Sequence, residues 1–515
     1  MVVQDFLHRS AARNPDNVAL VCDGRRLTYG DVDRAANRLA NALIRHGVRR
    51  GDRVALLLHN SVEAVVSLFA VLKAGAVFVF IDRSTNTERT AFILNNCRAT
   101  GLVCDAHRRA MVKTIAGRVP SLRFAVLAGR SPVEPDAWPH PVCSFDAVQA
   151  EFPCDLPPQI DVDLDLACLI YTSGTTGNPK GVMCDHSSMV FAATSVTTYL
   201  EHVEDDVILS VLPISFSYGL YQILMTFQVG GRLVLEPSFA YPAGVLALMQ
   251  AERVTGFAGI PGIYAMLLQM NVHQCDLPNL RYLTNAAAAL PVAQVLELRR
   301  KLPATKLYLM YGLTETKRAL YLPPDQVDRR PGSVGIAIPG TEVWIENDEG
   351  RLGPGAVGEL VVRGRHVMRG YWEAPEATAA RFRSGPIAGE RVCHTGDLFS
   401  MDEDGYFSFV ARKDDLIKVQ GRKIAPAEIE RVLCSLPGVV EAAVIGVRDD
   451  DLGEAVKAFL VLDGRPLTER QVLEHCRMHL DDYMVPKMFE FRNELPKTGS
   501  GKIRRAALVS ETVPA

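Results

Sequence analysis

Residues 171 to 181 read Tyr-Thr-Ser-Gly-Thr-Thr-Gly-Asn-Pro-Lys-Gly, a segment of glycines and hydroxyl side chains around a single lysine. Glycine lets the main chain come close to a ligand, and backbone N–H groups, hydroxyls and an ammonium can all donate to an anion. Phosphate oxygens are the guests such a loop suits. A Walker A loop requires GxxxxGK[ST], and GTTGNPKG does not supply it. Taken alone, a Gly/Ser/Thr cluster is as readily a solvated turn.

Further segments follow in order: LTYGDVDRAANRLA at 27–40, LKAGAVFVFID at 72–82, YGLTE at 311–315, GELVVRG at 358–364, HTGD at 394–397, RKDDLIKVQGRKIAPAEIE at 412–430 and PKTGSGKI at 496–503. Together with YTSGTTGNPKG, this series resembles the adenylate-forming superfamily over nearly the whole chain. That superfamily includes acyl-CoA synthetases, peptide-synthetase adenylation domains and firefly luciferase. The resemblance implies an AMP-forming acid–thiol ligase using ATP and Mg2+. It further implies that Thr172, Ser173, Gly174, Thr175, Thr176, Gly177 and Lys180 hold the ATP phosphates. Tyr311 would stack on adenine beside Gly312, Thr314 would touch phosphate, and Glu315 would bind magnesium. Asp397 would accept the ribose hydroxyls, which suits a group with several lone pairs and no donor, and Arg412 would assist it. Singly, Asp397 reads as a turn residue and Lys180 or Lys502 as a solvated lysine; their joint order carries the resemblance.

The implied reaction has two halves. A substrate carboxylate attacks the α-phosphorus of ATP, releasing pyrophosphate, and a thiol then attacks the acyl-AMP. Two anions meet in the first step, and a cation between them offsets their repulsion. Lys502 matches the family's catalytic lysine, in a glycine-rich loop able to deliver it. The second half must admit a thiol to a site closed to water, and the family achieves this by rotating its small C-terminal domain. Asp414 matches that hinge, and Lys418, Gly421 and Arg422 would then line the thiol channel.

The acid pocket departs from familiar relatives. Ser217, in SFSYGL, stands where amino-acid-activating relatives carry an aspartate, and a hydroxyl cannot neutralise a substrate ammonium. Phe216-Ser217 lacks the Phe-His pair of fatty acyl-CoA synthetases, and Met310 replaces the asparagine before the motif tyrosine. Tyr218, Tyr221 and Ala286 complete the expected lining. Lys317 and Arg318 follow YGLTE in a segment usually apolar or small, so a second acidic group on the substrate is the sharper reading. The plainer one is that one or both face solvent or an acidic neighbour, since adjacent residues in an extended segment face opposite sides. The expected substrate is a small acid that is not a standard α-amino acid, a dicarboxylate being the specific candidate. No carrier motif follows PKTGSGKI, so the acceptor is expected in trans. A phosphopantetheine-bearing carrier protein is preferred, with free coenzyme A as the alternative. A non-catalytic nucleotide-binding relative is the remote alternative; the presence of Lys180, Glu315, Asp397, Arg412 and Lys502 argues against it.

These groups need a scaffold. Apolar positions at helical spacing (Val32, Ala35, Leu39, Leu43) alternate with β-rich runs at 53–58, 76–81 and 166–173, which predicts α/β layers with parallel strands. From Pro331 short strands and turns predict a β-rich subdomain to about 413. Beyond it a helix/strand alternation predicts a small α+β domain. The expected organisation is a large N-terminal ATP- and acid-binding domain, 1–413, and a mobile C-terminal lid, 414–515. The chain has 515 residues, ample for a large core, and a formal net charge of -3 without a basic stripe argues against nucleic acid. The N-terminus lacks the uninterrupted apolar run of a signal peptide, and Lys73 and Gly75 divide the run at 64–81, so a cytoplasmic protein without a membrane partner is expected. The 11 cysteines form no CxxC pair and are expected to be small core residues.

Overall fold

The computed structural model describes residues 1–129, 140–172, 179–270, 272, 275–419, 422–449, 453–498 and 501–512. Thr28 opens the first long helix, Tyr29–Arg45, through a capping box: its hydroxyl accepts from Asp31 N–H, and the Asp31 carboxylate accepts from Thr28 N–H. Val32, Ala36, Leu39 and Leu43 form its buried face. Helix Val62–Lys73 is buried on all sides, its last residue included. The Lys73 ammonium is accommodated because it donates to Asp33 and Asn37, each at 2.6 Å. The apolar run at 64–81 is therefore an internal helix followed by the strand Val77–Phe80. Among the described residues no helix is long and apolar enough to cross a membrane.

Two sheets make up the large domain. The seven-stranded sheet runs, in spatial order, 142–144, 124–128, 99–105, 53–57, 77–80, 166–172 and 180–185. All neighbours are parallel except the last pair, in which Thr172 lies opposite Lys180. The two ends of the phosphate-loop motif are thus hydrogen-bonded strand ends.

The second sheet has 15 strands. Its middle is parallel, from Val18–Cys22 across to Lys306–Tyr311. At Leu320–Leu322 it turns antiparallel and continues through Ser333–Ala337 and Phe407–Arg412 to Arg391–Met401, Val357–Arg363 and Glu342–Asn347. The β-rich region expected from about 331 is present, but hydrogen bonds make it one continuous sheet with the parallel strands. YGLTE is the connection at which strand direction reverses, at the carboxyl end of the last parallel strand. That is an open position on a rigid edge.

The C-terminal part folds around its own core. Ile417, Val419, Ile429, Leu433, Val444 and Val456 form a cluster separate from that of the large domain. Its five-stranded sheet includes the hairpin Val439–Asp449 with Gly453–Leu462 and is flanked by helices Pro426–Ser435 and Glu469–His479.

Candidate active site

Asp397 lies on the strand Arg391–Met401 directly opposite Arg412. Asp397 is 4 % exposed. The Tyr311 hydroxyl donates to Oδ2 at 2.6 Å, and Arg412 Nε is 3.2 Å from Oδ1 without hydrogen-bond alignment, leaving Oδ1 without a donor. Burial pushes the Asp397 pKa above the ordinary carboxylate range, opposed by Arg412, Tyr311 and the ammonium of Lys502. A buried carboxylate oxygen lacking a donor is costly in the free protein and fits a ligand that brings hydroxyl donors, as a ribose does. The Tyr311 ring is held edge-on by Phe399, centroids 4.8 Å apart.

Glu315 is 8 % exposed and faces the same region. The Tyr371 hydroxyl donates to its Oε1 at 2.5 Å, and its main-chain carbonyl accepts from Met368 N–H. Lys180 Nζ stands 5.5 Å over the Tyr371 ring, so one tyrosine joins the lysine of the glycine-rich motif to the carboxylate. Thr172 ends the strand opposite Lys180, whereas Ser173, Gly174, Thr175, Thr176 and Gly177 lie outside the described residues, as does Gly421. Gly312 is required by the tight turn: a Cβ there would lie 2.3 Å from the Lys317 carbonyl oxygen. Thr314 follows in the turn, half-buried.

Lys502 reaches this cluster from the other end of the chain. Its loop is closed by Thr498 N–H donating to the Lys502 carbonyl at 2.7 Å and Lys502 N–H donating to Thr498 Oγ1 at 3.1 Å. It abuts the large domain at Gly501, where a Cβ would lie 2.5 Å from Ile260 Cδ1. Lys502 is exposed to solvent, yet the charges of Arg412, Asp397 and Glu315 act on its ammonium. Desolvation and then Arg412 pull its pKa below the ordinary lysine value, while Asp397 and Glu315 pull it back up. Lys418 does not join them: its side chain is exposed on the strand Ile417–Val419, with no ion pair or hydrogen bond among the described residues. Asp414 is likewise exposed, within a short 3-10 turn.

The expected acid-pocket residues gather around the helix Ser217–Val229, for which Phe216 is the N-cap. Ser217, Tyr221, Met310, Lys317 and Arg318 line one cavity with Val196, Gln222 and Met225. Tyr218 lies beneath Arg318, and Ala286 is buried nearby after the strand Tyr282–Asn285. The reading of residues 317–318 as extended, with one or both side chains outward, is corrected. Lys317 has φ +56°, which makes the segment a turn, and both side chains are buried, at 2 % and 8 % exposure. Neither makes an ion pair with a carboxylate among the described residues.

Residues 7–372 match the model of the AMP-binding enzyme family and residues 428–502 that of the AMP-binding enzyme C-terminal domain. The chain belongs to the AMP-binding enzyme family. A feruloyl-CoA synthase from Amycolatopsis is 36% identical over 96% of this chain and 96% of its own. The structure of an anthranilate CoA ligase in complex with anthranoyl-AMP superposes with a TM-score of 0.90 at 30% identity, covering 99% of this chain and 97% of the other. An o-succinylbenzoate CoA synthetase from Bacillus subtilis, in complex with ATP and magnesium ion, gives 0.84 at 28% identity over 98% of each chain. Family membership makes this chain an AMP-forming ligase that uses ATP and Mg2+.

Three contributors escaped the sequence reading. Tyr371 orients Glu315; Arg381 adds positive charge near Glu315 and Asp397 while donating to the His394 carbonyl at 2.8 Å. Glu359 accepts from Gly396 N–H at 2.8 Å and pairs with Lys413 at 3.2 Å, fixing the residues before Asp397 and before Asp414. Glu359 lay within a quoted motif, but nothing in its spacing pointed to partners 37 and 54 residues away.

Proposed function

We propose that the enzyme is an acyl-CoA synthetase: it activates a carboxylic acid as acyl-AMP and transfers the acyl group to coenzyme A. The buried Asp397 oxygen left without a donor, beside the Tyr311 hydroxyl, carries the first half of this reading. Asp397 and Arg412 hold the ribose, Tyr311 the adenine, and Thr172, Lys180 and Thr314 the phosphates. Lys502 stands between the attacking carboxylate and the α-phosphate, where a preorganised ammonium offsets the charge that two anions build as they meet. Magnesium, when bound, neutralises phosphate charge; Glu315, with Tyr371 holding Oε1, fits its coordination.

Free coenzyme A replaces the carrier protein as the preferred acceptor because the relatives described above are named as CoA ligases. Lys418 and Arg422, outside the cluster here, join the acceptor channel after the C-terminal domain turns about Asp414. Incubation with a panel of acids, ATP and magnesium, followed by coenzyme A or a phosphopantetheinylated carrier, tests both parts. AMP and an acyl-CoA are expected. Label on the carrier alone would reverse the acceptor assignment, and absence of AMP with every acid would end the adenylation reading.

A further inference from the structure

Lys317 and Arg318 are adjacent buried cations, and the structure gives them different partners. Lys317 Nζ lies 3.3 Å from Cys184 Sγ and 5.8 Å over the Tyr221 ring. Burial opposes ionisation of Cys184, but the neighbouring Cys168 thiol and the Lys317 ammonium hold its pKa below the ordinary thiol value. Lys317 therefore has a sulfur of the protein as its hydrogen-bond acceptor. Arg318 has no side-chain acceptor among the described residues. Its guanidinium stacks 4.6 Å over Tyr218, one Nη1 bond goes to the Lys317 carbonyl at 2.9 Å, and the buried Nε has no partner.

The backbone holds Arg318 in this position at a cost. Lys317 adopts a left-handed φ of +56°, unusual for a long side chain, and the turn closes against Gly312, where no side chain fits. The left-handed residue directs its carbonyl to Arg318. Nearby, the Tyr221 hydroxyl is also buried without a partner, and Ser217 opens onto the same cavity. A guanidinium with an idle N–H and an idle phenol, with no carboxylate to meet them among the described residues, describe an anion site awaiting its anion. The turn also limits distance. Arg318 is three residues beyond Glu315, so their Cα atoms are separated by at most roughly 11 Å.

We infer that the acid this enzyme activates is a short dicarboxylic acid, its reacting carboxylate beside Lys502 and its second carboxylate bound by Arg318, with Tyr221 and Ser217 as neutral donors. This rests on the adenylation reading above and specifies its substrate class. Lys317 contributes less, its ammonium being engaged by Cys184.

The test compares free diacids from malonate to adipate with their monomethyl esters, which keep the size and one reacting carboxylate but remove the second charge. On the unaltered enzyme, AMP release is expected to show kcat/KM for the best diacid exceeding that for its half-ester by at least about 10²-fold, because a site built to bond a polar group strongly rejects the analogue lacking it. In R318Q that ratio is expected to fall toward one, and R318K to recover part of it. Equal use of diacid and half-ester by the unaltered enzyme overturns the inference even if R318Q fails to fold. So does an R318Q enzyme that loses both substrates equally. Activation of monocarboxylates without diacid preference would leave adenylation standing and remove this inference alone. No AMP from any acid would remove both.

Discussion

Lys502 and Asp397 show how the site is poised by groups that oppose one another. Lys502→Ala is expected to lower acid-dependent pyrophosphate exchange about 10²- to 10³-fold. Thioester formation from supplied acyl-AMP should be largely retained, and equal loss of both half-reactions would refute the role. Desolvation and Arg412 lower the Lys502 pKa, so its protonated, functional form is lost at lower pH than for a free lysine. The alkaline limb of the exchange rate should therefore fall below the ordinary value of about 10.4 and move upward in Lys502→Arg. Asp397 is the converse. A carboxyl whose folded pKa is raised contributes most to stability below the ordinary carboxylate range, and that contribution is lost as pH rises through the raised value. At neutral pH the buried charge costs the free protein stability, as expected of a group proposed to bind ligand hydroxyls. Asp397→Asn should accordingly raise the melting temperature of the free enzyme at pH 7.5 while weakening ATP binding roughly 10²-fold, since bonds to a charged acceptor contribute about 1.5–3 kcal/mol each. A lower melting temperature would show that Asp397 is mainly structural.

Between elements, Glu359 ties the strand Val357–Arg363 to both the Asp397 loop and the start of the C-terminal part. Burial disfavours its charge, yet His394, Gly396 N–H and Lys413 together bring its pKa down to about 2. His394 Nδ1 is 3.9 Å away, too far for a hydrogen bond, so the direct contacts are Gly396 and Lys413. A depressed carboxyl pKa contributes stability above the ordinary glutamate range that disappears as pH falls toward about 2. Glu359→Gln should lose on the order of 2–3 kcal/mol in urea unfolding at pH 7 and little at pH 2. A deficit equal at both pH values would assign the residue a packing role. The Lys413–Glu359 pair anchors one side of Asp414, and Asp415, 3.2 Å from Arg505 of the C-terminal part, anchors the other. Asp414 thus lies between two ion pairs that hold opposite domains.

At the scale of the molecule, these anchors make Asp414 the proposed hinge, the position between them free to change its dihedral angles. Asp414→Pro, which fixes φ, should spare pyrophosphate exchange and slow thioester formation at least about 10-fold if rotation about this residue admits the thiol. Equal effects on both half-reactions would move the hinge elsewhere. Much of the architecture was legible in the chain: the strands at 53–57, 77–80 and 166–172 and the helix at 29–45 lie where periodicity predicted them. Those signals are local, set by which faces are apolar. The joining of the β-rich region into the large sheet was not legible, because strand pairing between Ser333–Ala337 and Phe407–Arg412 crosses some 70 residues and leaves no local trace.

The site divides in the same way. Motif order alone pointed to the family, and through it to the two expected half-reactions and the proposed ATP-binding set, since those residues act through side-chain chemistry that a sequence spells out. Tertiary structure decided which charges are compensated. It gave Lys317 the Cys184 sulfur, left Arg318 without an ion pair among the described residues, and recruited Tyr371 and Glu359 to aim carboxylates and loops. Whether a buried charge is satisfied depends on groups brought from distant strands into a medium of low polarity, and that is a property of the folded arrangement.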